Sequence, residues 1–277
     1  MTIKKKVAVL ILNRNLPKVT ERLRSAILRY NKKISDIYII DSGSDKKLIS
    51  KYTDFSADWR DAKRKGLRFG RGMNFGLGEL WKKNKFKSYN YYLLLTNDTL
   101  VPKNSFIKKF MKIMNKNTKI GLLSPCSKNW GEKEYLVKQK LKFFWFIHNN
   151  AFFLRREFIE DLMSNKKPHY MNFLFDGNNF RGYGMESELI AKGYLNDWAS
   201  AITSEIFIEE NEKHLLNKSQ LIKTEPYDKN LKLYIEEGMD WMHKKYGFKS
   251  KWAMQMYTKR FYDLFFALNP ELKDFKI

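Results

Sequence analysis

The sequence predicts an α/β protein with a mostly parallel, twisted sheet that is flanked by helices and followed by a helical C-terminal extension. Three observations predict this fold. Short apolar runs alternate with amphipathic helical patterns through the first 125 residues. Polar turn residues follow several of the apolar runs, as is typical of an open sheet whose ligand crevice lies at the carboxyl ends of its strands. From about residue 206 onward, the pattern is helical.

The predicted elements follow one another closely along the chain. An apolar strand at residues 6–12 leads to a helix that begins near Pro17, since proline lacks the N–H that a helix start leaves unpaired. A second strand covers residues 37–40, and a glycine-rich segment at residues 69–76 opens the next helix. The first half is completed by a strand at 91–96, a basic amphipathic helix within 103–119 and a strand at 120–123.

Composition places the chain among folded proteins without membrane spans. Of its 277 residues, 43% are hydrophobic and 16% aromatic, which excludes a disordered chain. No segment reaches the roughly 18 apolar residues of a membrane helix, and the first apolar run, residues 7–12, is too short for a secretory signal. Cys126 is the sole cysteine, so no intrachain disulfide forms. We therefore expect a cytoplasmic protein.

The charge is strongly positive. The chain has 53 Lys and Arg residues against 30 Asp and Glu residues, a net charge of +23 that attracts polyanions, anionic lipid or phosphorylated small molecules. Residues 241–260 hold six of these basic residues and no acid. This segment is either a solvated charged face or a peripheral contact with the inner face of an anionic membrane. Its aromatic residues are Trp241, Tyr246, Phe248, Trp252 and Tyr257.

One strand ends in an acidic turn that is suited to a metal. The apolar run at residues 91–95 is followed by Thr-Asn-Asp-Thr at residues 96–99. A hard divalent cation at such a strand end takes oxygen ligands from one or two carboxylates and from substrate phosphates. Asp98 is therefore the predicted ligand of Mg²⁺ or Mn²⁺.

Four segments, in order, resemble the donor-binding half of family 2 glycosyltransferases, and specifically a rhamnosyltransferase-like subgroup. These enzymes have the GT-A fold and use nucleotide sugars. Asn-Arg-Asn at residues 13–15 resembles the turn beneath the nucleoside, and Ile-Asp-Ser-Gly-Ser-Asp at 40–45 resembles the family's second turn. Residues 68–76 resemble its glycine-rich signature, with Arg where Asn is usual, and residues 95–102 resemble its D-x-D segment, with Thr96 replacing the first Asp.

The resemblance implies a donor site for a nucleotide-diphosphate sugar. Asp41 is expected either to accept a hydrogen bond from a nucleobase N–H or to stabilise its own turn. Gly70 would allow close backbone approach to a ligand, and Arg71 would neutralise phosphate unless it forms a surface ion pair. The remaining residues that the resemblance places in this site are Asn13, Arg14, Asn15, Ser42, Asn74, Thr96 and Asn97.

The second half is expected to supply the acceptor site. His148 precedes an apolar strand that resembles one near the sugar, although a structural role for this histidine is the alternative. Residues 185–189 look like the family's acidic segment that contains the general base. The register favours Glu186 as the base and leaves Glu188 as the alternative. The predicted domains are a catalytic domain at 1–205, divided at 125/126 into donor and acceptor halves, and an extension at 206–277.

These residues together predict an inverting, metal-dependent glycosyltransferase that acts on a hydroxyl of a glycan or lipid-linked acceptor. Two rival functions stay open at this point. A nucleotidyltransferase would share the α/β half, but residues 13–15 lack the glycines it usually has after the first strand. A non-catalytic protein that binds polyanions or membranes would explain the charge. Polyanion binding does not require an acidic turn at the end of a strand, and this argues against the polyanion-binding rival. We therefore expect no nucleic-acid partner.

Overall fold

The computed structural model describes residues 6–147, 151–163, 167–211 and 226–277. The strands in these ranges are β1 (Val7–Asn13), β2 (Ser35–Asp41), β3 (Thr53–Ser56), β4 (Tyr91–Thr96), β5 (Thr99–Leu100), β6 (Ile120–Cys126), β7 (Leu141–Phe143), β8 (Phe152–Arg155), β9 (Ala199–Phe207) and β10 (Glu209–Glu210). The α-helices are α1 (Pro17–Asn31), α2 (Arg60–Lys65), α3 (Arg68–Lys82), α4 (Phe106–Lys116), α5 (Arg156–Leu162), α6 (Met185–Leu195), α7 (Tyr227–Tyr246) and α8 (Lys251–Leu268).

Eight of the strands form one twisted sheet in the order β3-β2-β1-β4-β8-β6-β9-β7. The first four strands are parallel to one another, as are β6 and β9, while β8 and the edge strand β7 run antiparallel to their neighbours. Four of the seven pairings are thus parallel, which confirms the predicted mostly parallel sheet. The short strands β5 and β10 form a separate antiparallel ribbon.

The register of the central strands gathers their polar ends at one edge. Asn13 of β1 lies opposite Asp41 of β2, and Leu12 lies opposite Thr96 of β4. All seven residues of β1 are buried, because helices cover both faces of the sheet. The apolar strands therefore hold the polar carboxyl ends in fixed positions, where an open α/β sheet places its ligand crevice.

The C-terminal helices pack against the second half of the sheet. Tyr262 and Phe265 of α8 are buried and contact the ring of Tyr194 on α6 edge-on. Phe143 of β7 contacts Phe265 in the same cluster. Helix α8 of the predicted extension is therefore part of the main hydrophobic core, whereas Trp241 and Met242 of α7 form a separate cluster with Met254. The division at 205/206 falls inside β9 and stays a prediction.

The predicted helix and strand positions agree with the observed ones to within a few residues. The strand predicted at residues 6–12 is β1, the helix predicted from Pro17 is α1, and the glycine-rich segment opens α3. No helix within the described ranges is long and apolar enough to cross a membrane.

Candidate active site

Asn13 and Asp41 end neighbouring strands and are joined by a hydrogen bond. Asn13 Nδ2 donates to Asp41 Oδ2 at 3.1 Å, and the backbone N–H of Ser44 donates to Asp41 Oδ1 at 2.9 Å. Asp41 is only 1% exposed, so both of its oxygens are held by the chain itself. The carboxylate thus stabilises its own turn, the alternative that the sequence left open, while a contact with a nucleobase stays a prediction.

A buried threonine joins this pair to the acidic turn. The hydroxyl of Thr20 on α1 donates to Asn13 Oδ1 at 2.7 Å. Asn97 Nδ2 lies 3.3 Å from both Asn13 Oδ1 and Thr20 Oγ1. The sequence analysis missed Thr20. The pattern that could have identified it is its position on α1: Thr20 lies on the same face as Leu23 and Ile27, and all three side chains are buried.

The two turns that follow β1 and β2 are bonded to each other. Asn15 adopts a left-handed backbone with φ of 57°, which asparagine tolerates better than most residues. Its N–H donates to Ser44 Oγ at 2.9 Å, and its Oδ1 accepts from the backbone N–H of Asp45 at 2.8 Å. Asn15 therefore fixes the relative position of the turns and contributes to the shape of the crevice.

Ser42 and Arg14 attach these turns to the segment between α2 and α3. Ser42 Oγ accepts a hydrogen bond from the backbone N–H of Leu67 at 2.6 Å. Arg14 Nη2 lies 3.4 Å from the backbone carbonyl oxygens of both Lys63 and Arg64, in the last turn of α2. A basic side chain is favoured there because the last carbonyls of a helix have no intrahelical partner.

Asp98 lies at the turn between β4 and β5, and its side chain is half-buried. Its Oδ1 atom is buried and has no hydrogen-bond partner among the described residues. Its backbone carbonyl accepts from the N–H of Asn211 at 2.8 Å, which fixes the turn against the end of β10. A buried carboxylate oxygen without a partner is costly unless a cation or donor satisfies it. This oxygen therefore fits the predicted ligand of a hard divalent cation.

The protein supplies few charged ligands around this carboxylate. No group of three or more His, Cys, Asp or Glu side chains with metal-binding geometry occurs in the described ranges. Thr96, which replaces an acidic residue of the D-x-D segment, instead has its hydroxyl 3.3 Å from that of Thr99. A cation held here would take its other oxygen ligands from phosphates and water.

Two glutamates in the first turn of α6 have different surroundings. Glu186 is half-buried. Glu188 is 3% exposed and accepts hydrogen bonds from Lys245 Nζ at 2.7 Å and from the hydroxyl of Tyr246 at 2.5 Å. Lys192 Nζ approaches the same oxygen to 3.3 Å. Glu188 thus attaches α7 to α6.

The fold of this chain is similar to those of several solved glycosyltransferases. GalNAc-T7 in complex with UDP, GalNAc and Mn²⁺ aligns with a TM-score of 0.56 and 12% identity over 88% of this chain and 56% of that chain. Residues 1–349 of S. aureus TarS align with a TM-score of 0.52 and 10% identity over 87% of this chain and 73% of that chain. The chain has the GT-A fold.

A third match is the mannosyltransferase PcManGT from Pyrobaculum calidifontis, in complex with GDP-Man and Mn²⁺. It aligns with a TM-score of 0.50 and 13% identity over 76% of this chain and 58% of that chain. The chain thus spans little more than half the length of PcManGT and GalNAc-T7. No family model and no curated protein matches the sequence.

Asn74 was predicted to bind the donor, but its side chain is fully occupied inside the GT-A core. Its Oδ1 accepts from the N–H groups of Leu174 and Phe175 at 3.0 and 2.9 Å. Its Nδ2 donates to the carbonyl oxygens of Tyr170 and Phe175 at 3.1 and 2.7 Å. An amide side chain has two donors and two acceptor positions. Asn74 therefore holds residues 170–175 against α3, and its contact with the donor stays a prediction.

The glycines of α3 also serve packing. A Cβ atom on Gly70 would lie 2.6 Å from Met185 Sδ, and one on Gly76 would lie 2.1 Å from Ile40 Cδ1. Gly70 therefore allows close approach of α3 to the start of α6, while close approach of its backbone to a ligand stays a prediction. Both glycines let the helix lie nearer to its neighbours than a side chain would allow.

Arg71 faces a cavity of about 730 Å³ between α3 and α7. Its Nε donates to the carbonyl oxygen of Gly177 at 2.7 Å, and its guanidinium lies 4.6 Å from the centre of the Phe180 ring. Burial lowers the pKa of Arg71 from its usual value. The surface ion pair that was the alternative for this arginine is not what the structure shows, and its contact with phosphate stays a prediction. His148 lies outside the described residues.

Proposed function

We propose that this protein is a metal-dependent, inverting glycosyltransferase of the family 2 type. It would move a sugar from a nucleotide-diphosphate donor to a hydroxyl of a glycan or lipid-linked acceptor. The observation that carries the proposal is Asp98 Oδ1, a buried carboxylate oxygen at the carboxyl edge of a GT-A sheet that no residue in the described part of the chain satisfies. GalNAc-T7 and PcManGT, which share the fold, are complexes with Mn²⁺ and with UDP or GDP-Man, respectively.

The donor would lie across the carboxyl ends of β1, β2 and β4. Asp98 would hold Mg²⁺ or Mn²⁺, and this cation would stabilise negative charge on the departing diphosphate. The hydrogen bonds among Asn13, Thr20 and Asn97 keep the edge rigid, so that it does not have to be reorganised when the donor binds. Arg71 would add positive charge on the α3 side of the crevice.

Glu186 is the proposed general base. It lies in the first turn of α6 and is half-buried, and a carboxylate near the acceptor hydroxyl can take its proton as the oxygen attacks. Glu188 is less suited to this role, because Lys245 and Tyr246 already bond to its Oε1 atom. The two glutamates thus have separate proposed roles, catalytic for Glu186 and structural for Glu188.

The proposal is tested by incubating the protein with a panel of UDP-, dTDP- and GDP-sugars and Mn²⁺ and measuring the release of nucleoside diphosphate. Release from one donor, abolished by chelation of the metal and increased by a glycan acceptor, is the expected result. The donor that reacts identifies the sugar, and the compound that increases the release identifies the acceptor. No release from any donor, together with no metal-dependent nucleotide binding, would overturn the proposal.

A further inference from the structure

Helix α8 exposes an apolar stripe that the main core does not use. Its other side is buried through Met254, Tyr262, Phe265 and Phe266. On the outer side, every fourth residue from 252 to 268 is a large apolar residue except Arg260. With 3.6 residues per turn, these positions wind gradually across a broad outer face, and Arg260 lies near its middle. Their exposed fractions are 64% for Trp252, 59% for Met256, 50% for Leu264 and 72% for Leu268.

This stripe differs from the aromatic set that the sequence suggested for membrane contact. Trp241 is buried, while Tyr246, Phe248 and Tyr257 pack against one another with ring centres 5.4–5.8 Å apart. Of the five aromatic residues in the basic segment, only Trp252 is exposed. The packed members join α7 to α8, and the exposed apolar surface continues along α8 instead.

We propose that the α8 stripe (Trp252, Met256, Leu264 and Leu268) is a docking surface for an anionic lipid bilayer. A helix with an apolar outer face and basic neighbours lies in the plane of a membrane interface, with its apolar side chains among the acyl chains. Arg260 and Lys249 are exposed near the stripe, and the whole chain carries a net charge of +23. Each basic group near an anionic surface adds to the attraction.

A second copy of the chain fits this surface less well. Four partly exposed side chains offer less than the roughly 800 Å² that each partner contributes to a stable interface. A symmetric dimer across α8 would also place Arg260 and other positive charges of two +23 chains near one another. An anionic lipid surface, by contrast, complements both the apolar row and the charge.

The position of α8 relates this docking surface to the proposed reaction. In its first half, Thr258 Oγ1 donates to the carbonyl oxygen of Ser187, the neighbour of Glu186. Near its end, Asn269 Nδ2 donates to Asp197 Oδ1, so α8 runs alongside α6 in the same direction. Trp252 and Met256 therefore lie at the catalytic end. This step rests on the proposed function and implies an acceptor carried by a membrane lipid.

The test is co-sedimentation with vesicles of phosphatidylcholine alone or of phosphatidylcholine and phosphatidylglycerol in equal parts. The wild type is expected to bind only the anionic vesicles, and a variant with Ser at all four stripe positions should bind them at least about tenfold more weakly. Arg260→Glu should also weaken binding. The matched control is Ile49→Ser/Tyr52→Ser, which removes exposed apolar residues beside β3 at the opposite edge of the sheet.

A second readout follows Trp252 directly. Tryptophan emission of the wild type should shift to shorter wavelength with anionic vesicles, and Trp252→Phe should remove that shift. Unchanged vesicle binding by the four-site variant would overturn the proposal, as would a wild-type dimer that this variant converts to monomer. Nucleotide binding of the variant is measured in parallel. If it persists while vesicle binding is lost, docking and the donor site are separate; if the wild type binds nucleotide but no vesicles, only the docking proposal fails.

Discussion

At the scale of single residues, the two glutamates of α6 differ in burial, half-buried for Glu186 and 3% exposed for Glu188. Both were candidates for the base because they lie two positions apart in one acidic segment. Glu188 contacts Lys245 and Tyr246, which lie 57 and 58 positions further along the chain and reach it only in the folded protein. No local pattern predicts such a contact, whereas the acidic segment itself was visible in the sequence.

We predict opposite outcomes for the two glutamine variants. Glu186→Gln should retain donor binding and lose transfer, because the amide cannot accept the proton from the acceptor hydroxyl. Glu188→Gln should lower the free energy of unfolding by about 1–3 kcal/mol, since it removes the charge that Lys245 and Tyr246 face. Donor binding, turnover and urea unfolding are measured on each variant. Full turnover by Glu186→Gln would refute its assignment as the base.

At the scale of elements, α3 was predicted correctly as a helix, and the structure adds packing roles for its polar and small residues that the sequence did not indicate. The glycine-rich pattern was attributed to ligand approach, whereas Gly70 and Gly76 admit Met185 and Ile40. Asn74 was attributed to the donor, whereas it caps the backbone of residues 170–175. The sequence reveals the periodicity of a helix, but it does not show which distant segment packs on each face.

Replacing Asn74 should therefore cost stability. Asn74→Ala leaves two N–H groups and two carbonyl oxygens without their partner, and an unsatisfied buried group costs about 1–3 kcal/mol. We expect the free energy of unfolding to fall by at least about 3 kcal/mol in urea titration. Asn104→Ala, at an exposed position, is the control and should change little. A loss confined to nucleotide affinity, with stability unchanged, would contradict this packing role and support the predicted donor contact.

The attachment of α7 should depend on pH through Asp176. Burial raises the pKa of this carboxyl, but hydrogen bonds from Lys245, Trp241 and the backbone of Asn178 outweigh it and hold the pKa below the usual 3.8. A depressed carboxyl pKa stabilises the folded state above pH 3.8, and this stabilisation is lost as the pH falls below that value. The difference in unfolding free energy between wild type and Asp176→Asn should therefore shrink from neutral pH to about pH 3.

The control for this pH dependence is Asp58→Asn, at an exposed carboxyl. A constant difference between the wild type and Asp176→Asn over the whole pH range would contradict the assignment. Urea midpoints at each pH supply the measurement for all three proteins.

At the scale of the whole molecule, the alternation of strands and helices was sufficient to predict the fold class. It could not predict that β8 inserts antiparallel between β4 and β6, because strand order depends on the complete sheet. Nor could it predict the exposed stripe of α8, since the apolar residues on both sides of that helix look alike until the packed side is known. The residues at the carboxyl ends of β1, β2 and β4 were easier to predict, because they follow their strands directly in the sequence.

Cys126 reports on the integrity of the whole sheet. It ends β6 and is buried, and burial, assisted by Glu132 and Glu209, raises its pKa to about 12. The thiolate is the reactive form, so the native protein should react with a thiol reagent at mildly alkaline pH only as fast as it opens. We expect the labelling rate to follow global unfolding as denaturant is added. Rapid, complete labelling without denaturant would show that the strand is exposed.

The most direct test of the central claim is calorimetric titration of UDP, dTDP, GDP and CMP, each with and without Mn²⁺, into the wild type, Asp98→Asn and the exposed control Asp274→Asn. The account predicts that the wild type and the control bind one nucleoside diphosphate selectively and only with the metal, whereas Asp98→Asn loses this binding and stays folded. Equal, metal-independent and salt-sensitive binding of all four nucleotides by all three proteins would contradict it.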